Sequence, residues 1–297
     1  MAGRIAIMGA GAVGCYYGAM LALAGEDVIL IGRPALRDGV VASGLLLEKS
    51  GEKILTHPQA STDPAAVAGA DLVLFCVKSP DTEATAAQIA PYLAPEAQIL
   101  SLQNGVTNAA RLSAVLGRRA IPTVVYVAST MMGPAHVLHR GRGELVLGTA
   151  PQAEAIAARL RKAGIPTEVS DQAETALWTK LVINCALNAI SAVTQQPYGH
   201  IIATEGVPDL MRGLVAECSA VAQARGITLP DDLWDQLWRI AETMPAQTSS
   251  TAQDLARNRP SEIEHLNGEI ARQAQALGLP APLNAAMTAL VRLAEMR

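Results

Sequence analysis

The chain has 297 residues, of which 50% are hydrophobic, 17% charged and 3% aromatic, and its formal net charge is −4. That balance excludes a disordered chain, which would be richer in charge, and a small disulfide scaffold, which would be shorter and denser in cysteine. The length implies two domains, because single cores stop growing at roughly 250 to 300 residues, and an acidic balance leaves no basic footprint for nucleic acid.

Up to about residue 170, apolar runs of strand length alternate with helical patterns. Strands are expected at Arg4–Met8, Asp27–Ile31, Leu72–Val77, Gln98–Leu102, Ala120–Val127 and Glu144–Gly148, and helices over Ala12–Ala24 and Thr82–Leu93. Such alternation implies crossover helices on a parallel sheet, with antiparallel strands allowed towards its end. Beyond Ser170 the strand signals stop. Helices are expected over 172–195, 205–225, 231–243, 249–257, 261–277 and 283–296. Gly226 and Gly278 suit helix C-caps, with Pro230 and Pro280 close behind as stop signals. The expected domains are residues 1–170 and 171–297.

Two stretches without formal charge invite a membrane reading. In Ile5–Gly25, glycines at positions 9, 11, 14, 18 and 25 interrupt the run, and in Leu181–Thr204 the residues Asn184, Asn188, Gln195, Gln196 and Pro197 would be costly facing lipid. Both read as interior elements of a soluble, cytoplasmic protein. Cys15, Cys76, Cys185 and Cys218 lie far apart and form no CxxC pair. They read as small buried hydrophobes of a reducing compartment, and no metal is expected.

The run Gly9-Ala10-Gly11-Ala12-Val13-Gly14 is a G-x-G-x-x-G placed directly after a strand and opening a helix. Gly9 permits a tight turn, Gly11 admits a pyrophosphate to the backbone, Gly14 lets helix and strand pack closely, and the helix N-terminus offers N–H groups to the anion. The competing reading is a glycine-rich turn without a ligand. An NAD site usually carries Asp or Glu about 20 residues further on, at the end of the second strand. Here that end reads Ile31-Gly32-Arg33, while Glu26 and Asp27 precede the strand. A guanidinium at Arg33, with Arg37 as a second contact, suits a 2′-phosphate and predicts NADPH; the alternative is a solvated surface arginine.

Lys78 and Asn104 follow two further strands at their carboxyl ends, where a doubly wound sheet holds its ligand. Position alone leaves each as a contact near the nicotinamide and substrate or as an ordinary loop residue. In the apolar helix after residue 172, Lys180, Asn184 and Asn188 recur every four residues and form one polar stripe. Unpaired, each would cost on the order of 1 to 3 kcal/mol, which points to a polar ligand. The alternative is a snorkelling lysine with amides satisfied by backbone.

These residues, together with Gln103-Asn104-Gly105, His139-x-Gly141-x-Gly143, Trp178-x-Lys180-Leu181, Ser249-Ser250-x-x-Gln253-Asp254, Glu262-Ile263 and Asn267-Gly268, resemble ketopantoate reductases across essentially the whole chain. The resemblance implies an N-terminal Rossmann-type dinucleotide-binding domain and a mostly α-helical C-terminal domain like that of 6-phosphogluconate dehydrogenases. It implies Lys180 as the general acid on the substrate carbonyl and Asn184, Asn188 and Ser250 as substrate contacts. Glu262 would bind the hydroxyl end of the substrate, and Lys78 and Asn104 would stand at the cofactor–substrate junction. Departures are Gln247 where the family often has Asn, Glu264-His265 in place of a more usual Asp-Tyr, and an atypical segment between Leu187 and Gly199.

The implied chemistry agrees with the residues. Hydride transfer to a ketone builds negative charge on oxygen, which requires a proton donor within about 2.6 to 3.2 Å, and a lysine desolvated in an apolar helix is a competent acid. Near a helix start after Pro260, Glu262 also reads as an acid placed to suit the helix dipole. Two other functions stay open: a related NADP-dependent enzyme of another 2-keto or 3-hydroxy acid, and a dinucleotide-binding redox sensor without catalysis. The long apolar helices of the second half suit a homodimer, and proposed sites on both sides of residue 170 suggest domain closure.

Overall fold

The computed structural model describes residues 3–296 and divides into two compact units, one running to Glu174 and the other starting at Thr175. In chain order the first unit contains β1 (Arg4–Met8), α1 (Ala12–Leu23), β2 (Val28–Ile31), α2 (Pro34–Ser43), β3 (Leu45–Lys49), β4 (Glu52–Thr56), β5 (Gln59–Ser61) and β6 (Ala70–Phe75). There follow α3 (Thr82–Ile89), β7 (Gln98–Ser101), α4 (Asn108–Leu116), β8 (Ile121–Gly133), β9 (His136–Gly148), α5 (Ala153–Lys162) and β10 (Thr167–Ser170).

The strands form one sheet in the order β4-β3-β9-β8-β7-β6-β1-β2-β5, with β10 added on β9. From β5 to β8 every pairing is parallel, whereas β8 with β9 and β3 with β4 are antiparallel. Period-two alternation explains why helices cover both faces of the parallel part. Ile5, Ile7, Leu30, Leu72, Leu74 and Leu100 pack with Tyr16, Tyr17 and Leu21 of α1 on one side. Ala6, Met8, Ile29, Ile31, Val73, Phe75 and Ile99 pack with Ala86, Ile89 and Leu112 of α3 and α4 on the other. The chain leaves β1 towards β2 on one flank and returns through β6 to β7 on the other, so β1 and β6 border the switch point where such sheets bind ligands.

Several elements differ from the sequence-based expectation. The helix expected over Thr82–Leu93 stops at Ile89, and a 3₁₀ turn over Ala90–Tyr92 follows because Pro91 has no N–H to continue the α-helical ladder. β9 begins at His136 rather than Glu144 and is bent by glycines. Gly143 has φ +137, and a Cβ there would lie 2.5 Å from the Tyr16 hydroxyl, so the strand lies against α1 only with glycine at that position. His139 stacks on the same Tyr16 ring at 4.5 Å. The His139-x-Gly141-x-Gly143 pattern thus docks β9 onto the helix of the glycine fingerprint.

The second unit is helical: α6 (Ala173–Thr194), α7 (Tyr198–Ala203), α8 (Val207–Ala224), α9 (Leu233–Thr243), α10 (Ser250–Leu255), α11 (Asn267–Leu277) and α12 (Pro282–Glu295). Gly226 and Gly278 take the positive φ expected behind helix ends. The helix expected over 261–277 is split. A 3₁₀ turn covers Ile263–His265, the backbone breaks at Leu266 (φ −115, ψ −104), and α11 starts afresh. Glu217 of α8 accepts from the Leu283 and Asn284 amides at 2.8 and 2.9 Å, a carboxylate placed on the free N–H groups that start α12. Among the described residues α6 is the one helix long and apolar enough to cross a membrane, and 72% of its apolar window is buried within the protein. Cys15, Cys185 and Cys218 are buried, Cys76 is half-buried, and all four are free thiols.

Candidate active site

In the first unit the glycine fingerprint is built as its spacing predicts. Gly9 has φ +92, and a Cβ on it would lie 2.5 Å from the Val77 amide nitrogen, so the turn after β1 touches the chain leaving β6. The Cys76 amide also donates to the Met8 carbonyl at 2.7 Å. A Cβ on Gly14 would meet the Gly9 carbonyl oxygen and Ile7 at 2.8 Å each, which is the close helix–strand approach. A Cβ on Gly11 would meet nothing within 4 Å. That open space fits a pyrophosphate.

The amides of Gly9 and Ala10 both donate to the Ile31 carbonyl at 3.0 Å, and Gly11 donates to the Gly9 carbonyl at 2.7 Å. The first intrahelical bond runs from Cys15 to Gly11, and Gly11 offers no side-chain cap. Helix geometry therefore leaves the amides of Ala12, Val13 and Gly14 as the donors for an anion. Ala10 shapes the turn and contributes no amide donor to it. Burial pushes the Cys15 thiol up to about 12, so it brings no charge beside this donor set.

Arg33 directly follows the β2 end and precedes α2, with its side chain exposed and, among the described residues, engaged in no hydrogen bond or ion pair. Arg37 is instead tied to the neighbouring Asp38 at 2.7 Å. Glu26 and Asp27, at the opposite end of β2, pair with Arg159 and Arg4 at 2.7 and 3.0 Å. Lys78 and Asn104 are half-buried in the loops after β6 and β7. Those loops are cross-linked by the buried side chains of Ser79, Thr82, Gln103 and Asn108, which sequence reasoning assigned no role.

In the second unit α6 carries the polar stripe. Lys180 and Asn184 are half-buried, and Asn188 is only 4% exposed. Among the described residues neither the Asn184 nor the Asn188 carboxamide makes a side-chain hydrogen bond, and neither is among the fully buried unpaired side-chain atoms, which are Ser129 Oγ and Asn267 Oδ1, so both amides keep contact with solvent and are open to a polar ligand. Two other elements are tied to the same stretch of α6. Ser249 donates to the Asn188 carbonyl at 3.1 Å and accepts from Ala252 at 3.0 Å, which fixes the start of α10 and the exposed Ser250. Asn267 donates to the Cys185 carbonyl and to Asn284, each at 3.0 Å, and so anchors the turn that follows Glu262. Glu262 itself is half-buried and precedes a 3₁₀ turn, so the reading as a dipole-suited acid in an α-helical first turn falls away. An N-cap serine before a helical run is a visible sequence signal for Ser249; the bonds of Asn108 to Ser79 and of Asn267 to Cys185 and Asn284 leave none, because those partners are distant in sequence.

Two family models match the chain. Residues 5–152 match the ketopantoate reductase PanE/ApbA domain, and residues 172–295 match the ketopantoate reductase PanE/ApbA C-terminal domain. The chain belongs to the ketopantoate reductase family. A PanE/ApbA family ketopantoate reductase structure from Ralstonia eutropha is 55% identical, with a TM-score of 0.96 over 99% of this chain and 98% of that one. The 2-dehydropantoate 2-reductase of Caulobacter vibrioides is 33% identical over 98% of this chain and 99% of its own. A D-mandelate dehydrogenase solved with NADH and anilino(oxo)acetate shares the fold, with a TM-score of 0.93 at 23% identity over 99% of this chain and 98% of that one. Membership in the ketopantoate reductase family accords with the Rossmann-type sheet and the helical second unit described above.

Proposed function

We propose that this chain is an NADPH-dependent 2-dehydropantoate 2-reductase, which converts 2-dehydropantoate to pantoate for pantothenate biosynthesis in the cytoplasm. The observation that carries the reading is the polar stripe on the otherwise apolar α6, where the Asn188 and Asn184 carboxamides, uncommitted to side-chain hydrogen bonds among the described residues and still in contact with solvent, line up with Lys180. The relatives' names supply the keto acid, and the open cradle at Gly11 supports a dinucleotide.

The amides of Ala12, Val13 and Gly14 hold the pyrophosphate, and the Arg33 guanidinium pairs with the 2′-phosphate. When bound, the reduced dinucleotide supplies the hydride that the keto carbon accepts. Lys180 donates its Nζ proton to the carbonyl oxygen as that oxygen gains charge, so the ketone leaves as an alcohol. Asn184, Asn188 and Ser250 present neutral donors to the substrate's polar oxygens, and Glu262 accepts from its hydroxyl. Lys78 and Asn104 orient the reacting ends of cofactor and substrate.

The test follows NADPH absorbance with purified protein against 2-dehydropantoate, pyruvate, 2-oxoisovalerate and a 3-keto acid. The expected result is the highest kcat/KM with 2-dehydropantoate. A higher value with another acid would reassign the substrate, and no oxidation with any of them would overturn the reductase reading.

A further inference from the structure

The loops that present Lys78 and Asn104 are held by side chains that touch neither ligand in the reading above. Lys78 stands between Val77 and Ser79, and the carbonyls of both neighbours are occupied. Val77 accepts from Gln103 Nε2 at 3.1 Å, while Ser79 accepts from the Thr82 hydroxyl at 2.9 Å and from Arg111 at 3.1 Å. Gln103 also donates to Thr82 at 2.8 Å and accepts from Ser101 at 3.1 Å. Asn108 joins the two loops directly, donating to the Ser79 hydroxyl at 3.0 Å and to the Asn104 carbonyl at 2.5 Å while accepting from Arg111 at 2.8 Å. Both carboxamides are buried, at 6% and 2% exposure, and each uses its oxygen and its nitrogen.

We propose that Gln103 and Asn108 are positioning residues that clamp the backbone on either side of Lys78 and behind Asn104, so that these two side chains meet the reacting ends of dinucleotide and substrate in a single geometry. The inference rests on the reductase reading of the site. A fully satisfied buried network specifies one arrangement, and misplacing a reacting group by about 1 Å costs on the order of 10² in rate. Gln103 ties the end of β7 to the loop after β6, and Asn108, at the start of α4, ties both loops to one helix. Neither link is replaceable by apolar packing, since the partners are backbone carbonyls and hydroxyls.

The decisive experiment is a pair of double-mutant cycles. Asn108→Asp keeps the shape and the acceptor towards Arg111 but removes both donors. It is expected to lower kcat about 10-fold while leaving KM for the keto acid within about twofold. Adding Asn104→Ala to that variant is then expected to cost less than it costs the wild type, because the side chain is already misplaced. The second cycle combines Lys78→Ala with Gln103→Glu and reads NADPH affinity by fluorescence, so it does not depend on the substrate. Sub-additive losses are expected in both. Additive losses in an enzyme that reduces 2-dehydropantoate would overturn the clamp. A wild type that binds NADPH but reduces no keto acid would overturn the reductase reading, and the binding cycle would still decide the clamp. Should Asn108→Asp fail to fold, Gln103→Glu combined with Asn104→Ala carries the kinetic cycle.

Discussion

The Ser249 hydroxyl donates to the Asn188 backbone carbonyl at 3.1 Å and accepts from the Ala252 amide at 3.0 Å, so one buried side chain both starts α10 and fastens it to α6. Ser249→Ala removes an N-cap and is expected to cost about 1 kcal/mol of stability. Because Ser250 follows directly, the same change is expected to raise KM for the keto acid several-fold more than it lowers kcat. Thermal unfolding and steady-state kinetics on one preparation check both; an unchanged KM would separate α10 from substrate binding.

Gly9 and Gly25 offer a matched comparison. Both have positive φ, +92 and +81, but a Cβ on Gly9 meets the Val77 backbone while a Cβ on Gly25 meets nothing within 4 Å. Alanine at either position carries backbone strain of roughly 1 to 3 kcal/mol. Only Gly9→Ala must also push apart the turn and the chain leaving β6. NADPH titrations are expected to show loss of affinity of at least about 10-fold for Gly9→Ala and little change for Gly25→Ala; equal affinities would remove Gly9 from the cofactor site.

Arg33 is exposed and uncommitted among the described residues, whereas Arg37 is occupied by Asp38. A charge-assisted bond to phosphate contributes about 1.5 to 3 kcal/mol, so Arg33→Ala should raise KM for NADPH roughly 10- to 100-fold and leave that for NADH nearly unchanged. Arg37→Ala should do much less. The ratio of kcat/KM values for the two cofactors measures this, and an unaltered ratio in Arg33→Ala would exclude the residue from phosphate recognition.

Lys180→Ala is expected to lower kcat by about 10² or more, since a positioned proton donor contributes roughly 10²–10⁴. The first unit supplies the groups proposed to hold the dinucleotide, so NADPH affinity should stay within about twofold of wild type. Activity within a few-fold of wild type would sink the role of general acid.

What the residues disclose on their own is local. Alternating apolar residues followed by G-x-G-x-x-G specify a strand, a tight turn and a helix within a single stretch of chain, and β1 and α1 form there. The stripe of Lys180, Asn184 and Asn188 is likewise a matter of helical period, and it stands out because the surrounding helix is apolar. Elements whose partners lie far away were not legible. β3 pairs in parallel with β9, setting Leu46 beside His136, and β10 completes the sheet with four residues on the same strand. The break at Leu266 is decided the same way. Residues 261–277 have the composition of one helix, but α11 starts afresh at Asn267, whose side chain is hooked to the carbonyl of Cys185 and to Asn284. Residue type and short spacing were enough to disclose the glycine-rich turn after β1 and the polar stripe on α6. Which backbone groups fasten those features was settled by the fold alone, because a buried hydrogen bond between residues distant in the chain leaves no periodic trace.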